Sequence, residues 1–367
     1  MGKVWSVVKV VLILVVCLLI RKLIYGIYVN NYVGKCVQSV SSESLLNDPE
    51  FVRISRDFKA KNVTPLIFFL NRYALNISYN WLCNTQTMES VHERSVFVTF
   101  DQTAHVQLKR HWPMLRQYYR PIDCLKDSFS FGDPVYHLFF IFRANFARAM
   151  AALEQDIWMM QQDTIWRKNL LETQYERHCQ SDLIFDRIGF EGSARARWIN
   201  GANFFVRGNS RSEKFMADTA RKMSGWYTLD VSIWINQCYR NHHIQCDLFP
   251  YELVSCWEWL YFGNRMRPPY LLQMDAETNQ AGKLENMKKY GFYFLNNDGL
   301  TCNRSAVGRA RSSLLEDTVV SYSGESIMRF NFSFYWTLSE FLLSIPVLNE
   351  FLGAYMPLFF YYLFMTI

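Results

Sequence analysis

The sequence predicts an α/β domain, a mostly parallel open sheet flanked by helices, behind an N-terminal membrane anchor. Three observations predict it. Short runs rich in β-branched and aromatic residues, SVFVTF at 95–100 and IWMM at 157–160, are separated by a long helical crossover, as parallel strands require. Both runs end at acids, Asp101 and the Asp163 of Gln161-Gln162-Asp163. Near the N-terminus, residues 10–20 read VVLILVVCLLI, apolar and unbroken.

The anchor is expected over residues 4–29, with Lys9 and the Arg21/Lys22 pair snorkelling toward opposite faces. No small-residue cleavage site follows closely, which favours an uncleaved anchor over a removed signal peptide. Residues 30–61 are polar and read as a stalk. Residues 64–87 have helical spacing, with Leu66, Phe69, Leu70, Tyr73 and Ile77 on one stripe and Pro65 at an early helix position. The strand at 95–100 comes next, then a helix over 104–119 interrupted at Pro113. Asp133-Pro134 opens a helix over 135–154 whose apolar face carries Phe139, Phe142, Phe146, Met150 and Leu153, with Arg143 nearby.

Beyond IWMM, residues 198–206 form a strand around Gly201, which marks a bulge or the close approach of a ligand. Helices are expected over 213–226 and 230–239, an edge strand over 243–248, and a strand over 270–274 ended by Asp275. A lysine-rich helix over 279–290 stops at Gly291. Residues 303–324 read as a surface linker. Residues 351–367 carry no charge and suit a short span, a membrane-surface segment or a packed helix. The resulting division is tail and anchor 1–29, lead-in 30–62, domain 63–300, and linker with apolar segment 301–367.

Composition narrows the function. With 50% hydrophobic residues in 367, the chain is not disordered and can bury a large core. The net charge of +6 comes without a basic run. It fits an anionic small molecule and argues against nucleic acid. The aromatic share of 17% supplies a bulky core or stacking faces for sugars. Four N-x-[ST] sequons begin at Asn62, Asn76, Asn303 and Asn331, and Pro65 weakens the first. Glycosylation is expected at Asn76, Asn303 and Asn331, in a secretory lumen. Besides Cys17 there are eight cysteines, an even number that suggests disulfides whose pairing the sequence leaves open. There is no CxxC pair, and His242, His243 and Cys246 make an incomplete ligand set in what reads as a polar loop.

Ligands of open parallel sheets bind beyond the carboxyl ends of the strands, where Asp101, Asp163 and Asp275 are expected. Such acids serve turn chemistry or hold a divalent cation against a diphosphate. The ordered pieces NWLCNTQTM, SVFVTFD, FRANFARAMAALEQ, IWMMQQDTIW, WINGANFFVRGNSRSEKF and YLLQMDAETNQAGKLENMKKYGFYFL resemble the nucleotide-diphospho-sugar transferase domain of Golgi-type glycosyltransferases, most closely a nematode branch. The resemblance covers roughly residues 63–299. It implies a GT-A type fold and transfer of a sugar from a nucleotide-diphosphate donor to a glycan, protein or lipid acceptor, by a single-pass type II protein of the Golgi membrane with its domain in the lumen.

The resemblance also implies roles for residues. Asp163 matches the second acid of the family's Asp-x-Asp and is the candidate ligand for Mn²⁺ or Mg²⁺; Gln161 stands in place of the first acid and removes its charge. Asp101 matches the acid of the first nucleotide-side strand, and Arg143 a basic residue facing the diphosphate. Asn200, Gly201 and Asn203 match the segment lining the sugar or acceptor side. Asp230 is the candidate for acting on the acceptor, although Val231 comes after it where the family has Gln, and Gln237 is the nearest amide. Asp275, Asn279 and Lys283 fall in the late phosphate- or metal-contacting segment, without its His. The alternative is a non-catalytic membrane-tethered relative that binds a sugar or nucleotide.

Overall fold

The computed structural model describes residues 2–189, 196, 198–240, 243–262, 267–274, 282–316 and scattered positions between 319 and 348. Residues 351–367, Asp275, Asn279 and Asn331 lie outside the described residues.

The helices are α1 (Gly2–Cys36), α2 (Ser42–Leu46), α3 (Pro49–Ala60), α4 (Leu75–Thr85), α5 (Val91–Arg94), α6 (Gln102–His111), α7 (Pro134–Ala152), α8 (Tyr175–His178), α9 (Ser210–Gly225), α10 (Asp230–Arg240), α11 (Trp259–Phe262), α12 (Gly282–Lys289) and α13 (Arg304–Leu315). The strands are β1 (Leu66–Leu70), β2 (Ser95–Thr99), β3 (Arg116–Tyr119), β4 (Ile157–Met159), β5 (Thr164–Trp166), β6 (Leu183–Arg187), β7 (Ile199–Val206), β8 (Cys246–Leu248), β9 (Val254–Cys256) and β10 (Leu271–Gln273). Among the described residues, one sheet runs β3-β2-β1-β4-β7-β6-β8 and a smaller one β5-β10-β9. In the large sheet every pairing is parallel except those of β7, which runs against β4 and β6. The expected mostly parallel sheet flanked by helices is therefore present.

Both faces of the large sheet are buried. Along β1, Ile67 and Phe69 enter the core shared with α7 and α9, and Leu66, Phe68 and Leu70 enter the opposite core with Trp81 of α4. Phe68 lies 5.0 Å from Phe97 and 4.3 Å from Trp81, ring centre to ring centre. A strand buried on both faces carries no alternation. That is why residues 64–87 read as one helix, whereas the chain forms β1 first and α4 only from Leu75. The helix expected over 104–119 is likewise split. α6 ends at His111, Pro113 cannot continue it, and β3 comes next.

The expected stalk is also corrected. Residues 42–60 fold into α2 and α3, capped by the side chains of Ser41 and Asp48, with Pro49 at the first helical position. Leu45, Phe51, Ile54 and Phe58 are buried in the main core. Their helical spacing was masked by the polarity of the other face. At the other end, residues 304–315 are α13 rather than linker, with Val307, Ala310 and Leu314 buried.

The expected anchor lies within α1. Its later part packs on the domain through Val29, Val33 and Cys36, while Val10, Leu12, Ile13, Leu19, Ile20, Leu23 and Ile24 are exposed. Among the described residues no helix is long and apolar enough to cross a membrane. The uninterrupted run at 10–20 is shorter than the roughly 20 apolar residues that a span needs. Disulfides join Cys36 to Cys124, Cys83 to Cys302 and Cys238 to Cys246. The last one removes Cys246 from any metal set.

Candidate functional site

β4 ends in the large sheet at Met159, and β5 begins in the small sheet at Thr164. Residues 160–163 are thus the seam between two sheets. The seam is pinned from both sides. The Gln161 backbone N–H donates to Asn203 Oδ1 on β7 at 3.2 Å. The Met274 N–H, just past β10, donates to the Asp163 carbonyl at 2.8 Å. Gln162 turns inward, its Nε2 donating to the Phe69 carbonyl at 2.8 Å.

Asp163 projects its carboxylate from this seam, with only 5% of its side chain exposed, and pairs with Lys283 from the second position of α12. The Lys283 side chain is 31% exposed, against 5% for that of Asp163. The Gln161 amide lies 3.1 Å from Asp163 Oδ1 and 3.1 Å from Arg143 Nη1. With its nitrogen toward the carboxylate and its oxygen toward the guanidinium it serves both. Its distance to the Gln273 amide is 3.2 Å.

Arg143 of α7 was expected to face a diphosphate. It is instead buried, 2% exposed, and committed to protein. Its Nη2 donates to Asp230 Oδ2 at 2.9 Å and to the Gly201 carbonyl. Phe140, Phe204 and Trp234 cover the guanidinium, with ring centres 4.9 to 5.5 Å from its central carbon. Asp230, the expected acceptor-side acid, sits at the start of α10 and is equally buried. Burial pushes its carboxyl above the usual range, and Arg143 pulls it back. A carboxylate shut in with its counter-charge cannot reach an acceptor; the pair braces α7 against α10.

Gly201 has φ +75°, and a Cβ there would meet Val231 Cγ1 at 2.3 Å and Trp234 at 3.0 Å. The close approach expected at this glycine is therefore to α10, not to a ligand. The expected bulge is present, since the β6–β7 register shifts between Phe185 and Arg187. Asp186 fills that bulge. It accepts from Gly201 N at 2.7 Å, Asn203 N at 3.0 Å and the Asn200 amide at 3.2 Å. Its burial pushes the carboxyl up to about 6 against the pull of those bonds. Asn203 Nδ2 then donates to Gln273 Oε1 at 2.7 Å, linking the two sheets.

Asp163, Gln161, Lys283, Arg143, Asp230, Asn200, Gly201 and Asn203 thus form one connected network, as the sequence grouped them. Asp101 does not join it. Its carboxylate caps α6 through Ala104 N at 2.9 Å and accepts from Arg72 N at 2.7 Å, a turn role. Asp186 and Gln273 were missed. Asp186 lies in LIFDR, an acid inside an apolar run, and Gln273 is the lone amide at the end of YLLQ; both were visible signals. A cleft of about 560 Å³ lined by His111, Trp112 and Arg304 opens at the amino ends of β2 and β3 and shares no residue with the seam.

A divalent cation needs oxygen or imidazole ligands converging on one point. Among the described residues no three His, Cys, Asp or Glu side chains do so. At the seam the other ligands are amides, Asp163 carries an ammonium, and the nearby acids Asp186 and Asp230 are used by a bulge and a guanidinium. The described residues do not fit such a metal. Of the glycosylation sites, Asn76 is exposed on α4, and Asn303 caps α13 through Ala306 N.

The family model for nucleotide-diphospho-sugar transferases matches residues 90–287, more than half of the chain. The chain is similar to the apo structure of the WbbM bifunctional glycosyltransferase (TM-score 0.39, 11% identity, 58% of this chain and 46% of that one), spanning less than half of its length. It is also similar to galactosyltransferase LgtC in complex with donor and acceptor sugar analogues (TM-score 0.40, 9% identity, 72% and 100%). A third likeness is to mouse xyloside xylosyltransferase 1 (TM-score 0.36, 9% identity, 59% and 99%). No curated protein matches the chain in sequence.

Proposed function

The chain belongs to the nucleotide-diphospho-sugar transferase family, and on that premise we propose that it moves a glycosyl group from a nucleotide-diphosphate donor to an acceptor hydroxyl at the β4–β5 seam. One observation carries this reading: within the matched segment, a rigidly held carboxylate and an ammonium, Asp163 and Lys283, stand together beyond the carboxyl end of a central parallel strand. In the reaction, the bond from the anomeric carbon to the diphosphate oxygen breaks and its electron pair leaves with the nucleoside diphosphate. The acceptor oxygen takes the anomeric carbon, and its proton passes to the departing phosphate. Positive charge aimed at the diphosphate stabilises that departure.

Within this reading Asn203 and Gln273 hold the two sheets at a fixed spacing. Arg143 and Asp230 are positioning residues that act through Gln161 and Gly201. The acceptor is a glycan, protein or lipid. We place the domain in the secretory lumen, at the Golgi membrane and attached through the apolar start of α1. Three disulfides support an oxidising compartment, and the exposed apolar side chains of α1 support attachment. A second reading, a non-catalytic nucleotide-binding relative, is favoured by Gln161 in place of an acid. Turnover separates the two. The purified protein is expected to release nucleoside diphosphate from UDP- or GDP-sugars and to lose that release in Asp163→Ala. Nucleotide binding without turnover would select the second reading.

A further inference from the structure

We propose that the cleft beside the start of α13 is the seat of the chain's own N-linked glycan at Asn303, whose first sugar packs on Trp112. The inference rests on the luminal reading of the domain. Asn303-Arg304-Ser305 is a sequon, and both chain neighbours of its asparagine, Cys302 and Arg304, line the cleft. Adjacent Cα atoms are about 3.8 Å apart, so a sugar on Asn303 starts at the rim. The asparagine is firmly placed there. Its backbone N–H donates to the Phe294 carbonyl at 2.7 Å, and a disulfide ties the preceding Cys302 to Cys83 of α4. Its side-chain oxygen is committed, accepting from Ala306 N at 3.0 Å and from Ser305 Oγ at 2.8 Å. Its side-chain nitrogen donates to no group among the described residues. A glycan uses that nitrogen, so attachment leaves the cap of α13 in place. In attachment, Nδ2 gives up a proton to a base and bonds to the anomeric carbon of an N-acetylhexosamine. The bond from that carbon to a lipid-linked diphosphate breaks, and its electron pair leaves with the diphosphate.

The cleft has the chemistry of a neutral sugar site. Its volume of about 560 Å³ lies in the range of small-molecule pockets, roughly 300–1,000 Å³. One wall is the connection from α6 to β3, with Trp112 half-buried and Met114 94% exposed. The other carries Leu300, 37% exposed. A pyranose ring offers its C–H face to such side chains and its hydroxyls to Thr301 and Arg304. Arg304 is the one fixed charge among the lining residues. His92 adds none at neutral pH, because its Nε2 lies 3.0 Å from Thr85 Oγ1 and burial pushes its ring down to about 4. A cleft with one stacking indole would hold a free sugar weakly. Tethering removes that obstacle, since a short link gives the sugar a local concentration of about millimolar.

The test uses the full chain from secretory cells that keep high-mannose glycans. Glycopeptide mass spectrometry is expected to find Asn303 occupied. The native protein is then treated with an endoglycosidase that cuts between the first two sugars, and cleavage at Asn303 is followed in time. The enzyme reaches only the unseated glycan, so the rate reports the open fraction. Trp112→Ala should speed cleavage by about fivefold or more, and Met114→Asp by about twofold or more. Thermal melting checks that both variants remain folded. Should Trp112→Ala not fold, Met114→Asp decides alone, since a side chain 94% exposed carries no packing. Equal cleavage rates in wild type and the folded variants overturn the proposal and leave the cleft to a separate ligand. A vacant Asn303 beside an occupied Asn76 also overturns it and leaves the luminal reading standing. If no sequon carries a glycan, the luminal reading falls and takes this proposal with it.

Discussion

Asp101 and Asp163 have the same signature in sequence, a buried apolar strand that ends in an acid, and opposite fates in space. After β2 the chain turns directly into α6, and Asp101 spends both oxygens on backbone N–H groups, at Ala104 and Arg72. After β4 the chain crosses into a second sheet, and Asp163 meets side chains instead, Lys283 and Gln161. The difference is that a helix start claims the Asp101 carboxylate, whereas Asp163 is left to side-chain partners. The next element of the chain, helix or strand, decides the chemistry of the acid.

The largest expected effect probes the brace beneath the seam. Arg143→Met leaves Asp230 buried and unpaired, and should cost about 3–5 kcal/mol of stability in chemical denaturation. A loss below about 1 kcal/mol would mean that the pair contributes nothing to holding the site. Gly201→Ala should cost roughly 3 kcal/mol, from the collision with Val231 and the positive φ together. Equal stability would show that α10 moves away freely, and the seam would then lack a rigid floor.

A third acid sharpens the comparison through pH. Asp186 has its folded-state carboxyl raised to about 6 from 3.8 by burial. Between those values the folded protein holds a proton that the unfolded chain releases. The group's contribution is therefore fully present below pH 3.8 and is lost as pH rises through about 6. Denaturation of wild type and Asp186→Asn from pH 4 to 7 should show their stability difference shifting by about 2 kcal/mol, against the wild type at the higher pH. A pH-independent difference would mean that the bulge hydrogen bonds keep Asp186 charged throughout. The smallest effect belongs to Asp101. Asp101→Ala should cost only about 1 kcal/mol, as a lost helix cap, with nucleotide affinity unchanged.

Much of this was legible in the residues. β-branched and aromatic runs located β2, β4 and β7, and Asp133-Pro134 located the start of α7. The grouping of Gln161, Asp163, Asn203, Asp230 and Lys283 came from a resemblance spread over many short pieces. β1 escaped because LIFFL is buried on both faces, and burial on both faces erases the period that marks a strand. α2 and α3 escaped because polar outer faces outweighed four buried side chains. The pairing of Arg143 with Asp230, and of Lys283 with Asp163, spans 87 and 120 residues, and no local pattern encodes such contacts. Asp101 and Asp163 had equal standing as residues, since both precede polar neighbours and only the path of the chain separates them.

The most direct measurement compares the two acids in one assay. Affinity for UDP- or GDP-sugar should be determined for Asp163→Asn and Asp101→Asn beside the wild type. The account predicts a loss of about tenfold or more for Asp163→Asn, through release of Lys283 from its anchor, and none beyond about twofold for Asp101→Asn. Equal affinities for all three proteins, or a loss confined to Asp101→Asn, would contradict it.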